Sequence, residues 1–422
     1  MPFGFYIIMA AQFFSALADN ALLIIAISAL RDMHTSAAYE PLLKAFFAVS
    51  YVALAAFVGA FADSMPKWRV MFISNAIKII GCIMMFYGIH PLISYAVVGL
   101  GAAAYSPAKY GILTEYLPHR LLVVANGWIE GLTVGAIILG VVIGGALIDP
   151  PTARELLAFD FPWIDTGIDT INEMALCFVG GFYLLASIIN CYIPETRADH
   201  KVLHHNPVYL LSEFGHCLAL LWRDRLGQIS LAVTTLFWGA GATLQFIVIK
   251  WAETSLQMDL SQSSMLQGVV AIGIAIGATA AAKTVTMRKS VSVIPLGIAM
   301  GIIVLAMNFV TSKTLAIPLL IIIGCLSGYF VVPMNALLQH RGHILMGAGH
   351  SIAVQNFNEN LSILAMTGLY FLMIKADLSI YWVITLFGLL VSTSMLLIKR
   401  KHDANQREHD AMVHLDDNLG HH

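Results

Sequence analysis

Twelve long apolar segments follow one another along the chain, and they limit the folds that it can adopt. Of its 422 residues, 59% are hydrophobic and only 11% are charged, whereas a soluble surface is roughly 25–35% charged. About 20 residues of α-helix cross the hydrocarbon core of a bilayer. The sequence therefore predicts an all-α polytopic membrane protein. Its twelve transmembrane helices are predicted near residues 5–30, 43–65, 69–88, 91–117, 124–148, 172–193, 226–252, 262–286, 290–310, 314–339, 345–373 and 379–398.

Lysine and arginine are distributed unevenly between the two ends of these helices. One side holds fifteen of the 23 basic residues, and Lys78, Lys109 and Lys250 lie within the membrane. Basic residues concentrate on the cytoplasmic side of membrane proteins, so both chain termini are predicted to be cytoplasmic. The sparsely charged side is assigned Arg31, Lys44, Arg154, Lys313 and Lys375.

The longest cytoplasmic connection lies between the sixth and seventh predicted spans and divides the chain into two halves. The halves align weakly, so that residues 14–23 fall on residues 237–246. Two parallel six-helix repeats around a central substrate site are typical of secondary transporters that work by rocking. The predicted parts are an N-terminal bundle at 1–193, a linker with an amphipathic stretch at 194–225, a C-terminal bundle at 226–398 and a cytoplasmic tail at 399–422.

Asp19, followed directly by Asn20, lies near the middle of the first predicted span. A carboxylate at that depth costs roughly 2.5–3.5 kcal/mol on insertion scales, so it usually faces a partner, a cavity or a substrate path. Lys109 in the fourth span needs an anion for the same reason. Of the three lysines within the membrane, we expect Lys109 to pair with Asp19, with Lys78 and Lys250 as the other candidates. The anion that Lys109 meets could instead be Glu130, Glu359 or a substrate phosphate.

Asp19, Asn20, Lys109 and Gln245 are candidates for substrate binding. Further polar residues within the predicted spans are also candidates, and each of these has a structural alternative. Lys78 could form a salt bridge, and Lys250, near the outer end of the seventh span, could extend its ammonium group to the interface. The amides and acids of the fifth and eleventh spans could hold helices together instead of contacting a headgroup. These last candidates are Glu130, Gln355, Asn356 and Glu359.

The loop between the second and third spans resembles the loop signature of the major facilitator superfamily, Gly-x-x-x-Asp followed by basic residues. Gly59 would permit close helix approach, and Asp63 could cap a helix or pair with Lys67 or Arg69. Contacts that exist in only one conformation would form a conformational latch. The alternative is an ordinary basic loop on the cytoplasmic side. Ser64 stands where a basic residue commonly follows the aspartate, so we expect one latch contact to be missing.

Longer runs of sequence resemble the bacterial lysophospholipid transporter family of the major facilitator superfamily. The likeness extends over nearly all helical parts and is weakest in the 150–170 loop and the tail. The runs that carry it are residues 10–23, 101–113, 125–127, 236–241, 331–339 and 353–360.

This resemblance implies a flippase that moves lysophosphatidylethanolamine and lysophosphatidylglycerol from the outer to the inner leaflet of the bacterial inner membrane. An acyltransferase with acyl-carrier-protein synthetase activity would then restore the missing acyl chain. Asp19 matches the family's acid that is important for transport. Gln245 stands where the compared family member has arginine, so that role would fall to Lys109, Lys78 or Lys250, or be lost.

Other functions give different expectations. In a proton-coupled exporter of amphipathic drugs, Asp19 would carry a proton. An acyl-transfer enzyme is disfavoured because neither His-x-x-x-x-Asp nor Gly-x-Ser-x-Gly occurs, and a receptor or scaffold would leave the intramembrane charges without a purpose. The cysteine spacing indicates no metal site. We therefore expect a non-enzymatic transporter, without cofactor or nucleic-acid partner, that acts on lysophospholipid among membrane lipids as a monomer.

Overall fold

The computed structural model describes residues 2–36, 39–117, 119–157, 168–195, 206–346 and 348–408. Fourteen α-helices form the fold within these ranges. They are α1 (Phe3–Asp32), α2 (Glu40–Asp63), α3 (Lys67–Phe86), α4 (Pro91–Tyr116), α5 (His119–Leu147), α6 (Pro150–Leu157), α7 (Ile171–Asn190), α8 (Pro207–Arg223), α9 (Gly227–Ser255), α10 (Leu260–Thr284), α11 (Ile294–Val304), α12 (Lys313–Met346), α13 (Ala348–Lys375) and α14 (Ile380–Glu408).

The prediction of an all-α polytopic membrane protein is confirmed. Helices α1–α5, α7 and α9–α14 follow the twelve predicted spans. Ten helices in the described ranges are long and apolar enough to cross a bilayer, and a shorter apolar helix covers Gly131–Leu147. The ninth span departs from a single helix, because 3₁₀ turns at Met287–Val293 and Leu305–Phe309 flank α11. The short helix α6 was not predicted.

The linker between the halves contains the helix α8, which covers the predicted amphipathic stretch and rests on α13. The indole nitrogen of Trp222 donates to Asn358 Oδ1 at 3.1 Å. The ring centroids of Phe214 and Phe357 are 5.3 Å apart. Tyr209, on the outward face of α8, is exposed. One face of the linker helix is therefore fixed to the second half of the protein.

Glycines bring helices of the same half into backbone contact. In the first half, a Cβ on Gly144 would lie 2.7 Å from the carbonyl oxygen of Ala21, so α5 lies directly on α1. In the second half, a Cβ on Gly277 of α10 would overlap the carbonyl group of Cys325 in α12. Small residues permit this close approach of membrane helices. Each half is consequently a tightly packed unit.

The two halves meet mainly where α2 packs against α13 and α5 against α10. At the end of the bundle where α1 and α9 finish, here called the Arg31 end, Ser261 Oγ donates to the carbonyl of Gly145 at 2.9 Å. Toward the opposite end, called the Asp224 end, α5 has open space on the faces of Gly131 and Gly135, since a Cβ on either residue would meet nothing within 4 Å. The halves are therefore held together at the Arg31 end.

Replacing Gly277 by alanine tests the packing of α10 on α12. The added methyl group would push against backbone, which cannot rotate away, so Gly277→Ala is expected to lower the free energy of unfolding by about 1–3 kcal/mol. Gly181→Ala is the matched control, because a Cβ on Gly181 meets nothing within 4 Å. Thermal unfolding in detergent measures both variants. Equal stability of the two would show that α10 and α12 are not in backbone contact.

Candidate functional site

A cavity of about 380 Å³ lies between the two halves. Helices α1–α5 line one wall, and α9–α14 line the other. Its size falls within the range of about 300–1,000 Å³ that is usual for small-molecule sites. The cavity is therefore the candidate substrate site.

The two walls of this cavity differ in chemistry. Its lysines all come from the first half, and the second half contributes one carboxylate, Glu359, together with amides. The charged and polar residues of the first-half wall include Gln12, Ser15, Asp19, Asn20, Lys44, Lys78, Ser106, Lys109 and Thr133. The apolar residues of the second-half wall include Phe237, Trp238, Leu244, Val270, Ile274, Met300, Val304, Ile363 and Phe387.

Asp19 forms an ion pair with Lys78 within the first-half wall. The Lys78 ammonium lies 2.8 Å from Asp19 Oδ2. The hydroxyl of Tyr183 donates to Asp19 Oδ1 at 2.6 Å. The Lys78 side chain is 2% exposed and that of Asp19 18%. Both carboxylate oxygens of Asp19 are thus engaged by partners from α3 and α7.

Lys78 has further partners that hold it in this position. Its ammonium donates to Ser15 Oγ at 2.9 Å and lies 5.0 Å from the ring centroid of Tyr105. Ser15 in turn donates to Asn75 Oδ1 at 2.7 Å. A buried charge is tolerated only when it is paired and hydrogen-bonded, and Lys78 meets that condition within the first half.

The prediction that Lys109 is the partner of Asp19 is wrong. The Lys109 ammonium donates to Thr133 Oγ1 at 3.0 Å and lies 4.9 Å from the ring centroid of Tyr110. Lys109 thus projects from α4 toward α5, whereas Lys78 on α3 faces α1. Depth in the membrane could be inferred from sequence, but the direction of each side chain around its helix could not.

Lys44 is a cavity residue that sequence reasoning missed. The distribution of basic residues assigns Lys44 to the sparsely charged side, at the start of the predicted span 43–65. The helix α2 begins at Glu40, so Lys44 lies on its second turn and lines the cavity. The neighbouring Leu43 is fully buried. The signal that could have located Lys44 is its position within an apolar run that continues from Pro41.

Polar residues of α13 connect the second-half wall to its surroundings. The amide of Gln355 donates to Glu359 Oε1 and to Asn335 Oδ1, both at 2.8 Å. The amide of Asn356 reaches across the cavity to Ser106 Oγ at 2.9 Å. Gln355 is buried behind the wall, whereas Asn356 and Glu359 line the cavity. The eleventh predicted span therefore serves both as helix contact and as cavity lining.

The remaining predicted substrate-binding residues are distributed differently. Asn20 and Gln245 line the cavity. Asn20 donates to the carbonyl of Ala16 at 2.8 Å, and the carbonyl of Gln245 accepts from Gln267 at 2.9 Å. Lys250 is not part of the cavity lining and is partly exposed. The side chain of Glu130 lies outside the described residues.

The predicted conformational latch is only partly within the described residues. The side chain of Asp63 and the surroundings of Gly59 lie outside them. The Lys67 ammonium donates to the carbonyl of Ala62 at 2.7 Å and lies 3.3 Å from Glu115 Oε1. Arg69 is exposed, with its guanidinium 5.2 Å from the ring centroid of Trp68. Lys67 thus connects α3 to α4 within the first half.

A charge cluster at the Arg31 end connects the two halves and was not predicted. Arg31 donates to both carboxylate oxygens of Glu40, at 2.8 and 3.1 Å. It also donates to Glu253 Oε1 of the second half at 2.6 Å. Because 222 positions separate Arg31 from Glu253, local sequence patterns give no sign of this contact.

A central cavity between two six-helix halves is the architecture of secondary transporters. The family model described as Major Facilitator Superfamily matches residues 8–367. Among solved structures, the human organic anion transporter MFSD10 (TETRAN) has a TM-score of 0.66 and 16% identity, covering 95% of this chain and 100% of that chain. A bacterial homologue of the human lysosomal transporter Spinster, in an inward-facing and unoccupied conformation, has a TM-score of 0.64 and 15% identity, covering 96% and 98%.

Closer relatives identify the family within this class. The lysophospholipid transporter LplT of Yersinia pestis (strain Pestoides F) is 41% identical over 369 residues, which are 87% of this chain and 86% of the relative. The same values hold for LplT of Yersinia pseudotuberculosis serotype O:3 (strain YPIII). The chain therefore belongs to the lysophospholipid transporter family of the major facilitator superfamily.

Neutralising Asp19 tests the ion pair with Lys78. Asp19→Asn leaves the Lys78 ammonium buried without its carboxylate, which is expected to cost about 3–5 kcal/mol of unfolding free energy. Asp19→Asn/Lys78→Met removes both charges and is expected to recover most of that loss. Unfolding in detergent provides the measurement.

Lys109→Met is the control for this double-mutant cycle. Residues without a shared partner give nearly additive changes, so the effects of Asp19→Asn and Lys109→Met are expected to add. Strong coupling of Asp19 to Lys109, together with additivity between Asp19 and Lys78, would contradict the observed pairing.

Glu253→Gln tests the connection between the halves. Losing the charge-assisted bond to Arg31 is expected to weaken closure of the Arg31 end by about 1 kcal/mol, or roughly fivefold in population. Spin-label distances between Thr35→Cys and Thr254→Cys, in a protein whose native cysteines are replaced, should lengthen. Asp377→Asn makes the same charge change at an exposed residue of that end and should leave the distances unaltered. No difference between the two variants would refute the role of Glu253.

Proposed function

We propose that the protein moves lysophospholipids across the bacterial inner membrane by alternating access of its central cavity. The observation that carries this proposal is the contrast between the first-half wall, which holds all three cavity lysines and Asp19, and the second-half wall, which is mainly apolar apart from Glu359 and amides. A lysophospholipid has a charged headgroup and one acyl chain, so it matches such a cavity. The relatives named lysophospholipid transporter support this function over drug export.

The headgroup requires polar partners because it must leave water during transport. Charge-assisted hydrogen bonds replace lost hydration most effectively, and the first-half wall supplies lysines for a phosphate. Asn356 and Glu359 on α13 can meet glycerol hydroxyls or an ethanolamine ammonium group. Asp19 is already bonded by Lys78 and Tyr183. Its role is thus to position Lys78 and the surrounding wall, in addition to any contact through its exposed part.

The direction of transport follows from the predicted orientation, which we adopt as part of the proposal. With both termini in the cytoplasm, the Arg31 end faces the outside. The contacts at that end, from Arg31 to Glu253 and from Ser261 to Gly145, then correspond to a state closed to the outside. Lysophosphatidylethanolamine and lysophosphatidylglycerol would enter from the outer leaflet and be released to the inner one. An inner-membrane acyltransferase would consume them, and the transporter would act as a monomer.

A leaflet-resolved assay with the purified chain in proteoliposomes tests this function. Radiolabelled lysophosphatidylglycerol or lysophosphatidylethanolamine is added to one leaflet, and the amount in the opposite leaflet is measured over time. Flux above that of protein-free vesicles is expected, and Asp19→Asn is expected to reduce it by at least tenfold because the polar wall loses its organising charge. A folded protein that produces no flux above protein-free vesicles would overturn the proposal.

The same vesicles distinguish flipping from proton-coupled drug export. Flipping of a lysolipid down its gradient is expected to continue when a protonophore is present. An exporter would lose transport under that condition and would protect cells against amphipathic drugs. Drug resistance combined with loss of lysolipid flux would assign the cavity to export instead.

A further inference from the structure

We infer that Lys44 is the residue that binds the phosphate of the substrate, an inference that rests on the proposed transport function. Lys44 lies on α2 and lines the central cavity. Three lysines line that cavity, and they differ in what already holds them. Their partners therefore decide which one is available to an anion.

The Lys78 ammonium is already bonded by groups of the protein. It bonds to Asp19 and Ser15 and lies against the rings of Tyr105 and Tyr183. The Lys78 side chain is only 2% exposed. A phosphate that approached Lys78 would have to displace the Asp19 carboxylate, so this lysine organises the wall and is not the anion site.

Lys109 is also held by the protein, since it donates to Thr133 and lies over the ring of Tyr110. Lys44 differs from both, because it has no hydrogen-bond or ion-pair partner in the described part of the chain. Its side chain remains partly exposed. A charge within a membrane-spanning helix is costly without a partner, and the cavity is where a partner can reach Lys44.

The surroundings of Lys44 favour an anion more than a second protein carboxylate. The Asp19 carboxylate attracts the Lys44 ammonium electrostatically, but both of its oxygens are hydrogen-bonded to other groups. The carboxylates of the cavity lining, Asp19 and Glu359, thus have protein donors of their own. Lys44 has no negatively charged hydrogen-bond acceptor among the described residues, and the oxygens of a phosphate would supply one.

Within the described part of the chain, the second half of the protein supplies no cation to the cavity, and Gln245 is one of the uncharged residues of its wall. It lies on α9 in the opposite wall of the same cavity, where it carries no charge. None of the lysines or arginines in the described residues reaches the cavity lining from the second half. The cation for the headgroup is therefore supplied by α2 from the first half.

Lys44→Gln in the full chain tests the site by substrate binding. A charge-assisted bond to phosphate is worth roughly 1.5–3 kcal/mol, so the affinity for lysophosphatidylglycerol is expected to fall about 10- to 150-fold. Binding of monoacylglycerol, which has a similar chain and no phosphate, should change less than about threefold. Lys250→Gln removes a lysine outside the cavity and is the matched control. An unchanged affinity in folded Lys44→Gln would overturn the inference.

Moving the charge across the cavity provides a second test. Lys44→Gln/Gln245→Arg is expected to restore binding of lysophosphatidylglycerol to within about tenfold of the wild type. Gln245→Arg alone should produce only a small gain, because Lys44 already supplies the cation. A large gain from Gln245→Arg alone, with no loss in Lys44→Gln, would show that the cation is missing from this chain.

If the variants do not fold, chemical labelling of the wild-type protein tests whether Lys44 binds the substrate phosphate. An amine-reactive reagent followed by mass spectrometry reports the reactivity of Lys44, and lysophosphatidylglycerol is expected to protect it at least fivefold. Monoacylglycerol should not protect it. Absence of protection by a lysolipid that is bound or transported would overturn the role of Lys44 alone, whereas absence of any lysolipid binding or flux would overturn the proposed function.

Discussion

The buried ion pair between Asp19 and Lys78 is the interaction on which the rest of the site depends. An uncompensated charge at this depth would cost several kcal/mol, so the pair must form when the first half folds. Its partners tie α1, α3 and α7 together through Ser15 and Tyr183. The pair is nearly neutral as a whole. It therefore shapes the polar wall without presenting a net charge to the substrate, and that task is left to other lysines.

The location of each ion pair decides what rocking of the halves does to it. The Asp19–Lys78 pair lies within the first half, so it can persist while the halves rotate. The bond from Arg31 to Glu253 crosses between the halves, so opening of the Arg31 end must break it. Glu40 remains bonded to Arg31 on the first-half side, and the guanidinium keeps one partner in both states. This retained partner lowers the cost of opening.

Features that depend on one stretch of sequence could be predicted, whereas contacts between residues far apart in the sequence could not. The spans follow from the length of the apolar runs, and Asp19 follows from its cost within one of them. The choice of Lys78 over Lys109 depends on which way each side chain points around its helix, which apolar runs do not specify. Lys44 lies near the start of the second predicted span, but the apolar run does not show that its side chain faces the cavity from the second turn of α2. Arg31 and Glu253 meet only through the packing of the two halves.

The two walls differ in chemistry because the two parts of a lysolipid leave different surroundings during flipping. The acyl chain can pass from lipid to an apolar wall at little cost, because both surroundings are apolar. The phosphate must leave water, and its loss of hydration has to be balanced by a cation already in the cavity. Without substrate, Lys44 is best solvated in an open, wet cavity. Binding of phosphate neutralises it, so a closed cavity becomes less costly with substrate than without, which couples movement of the halves to occupancy.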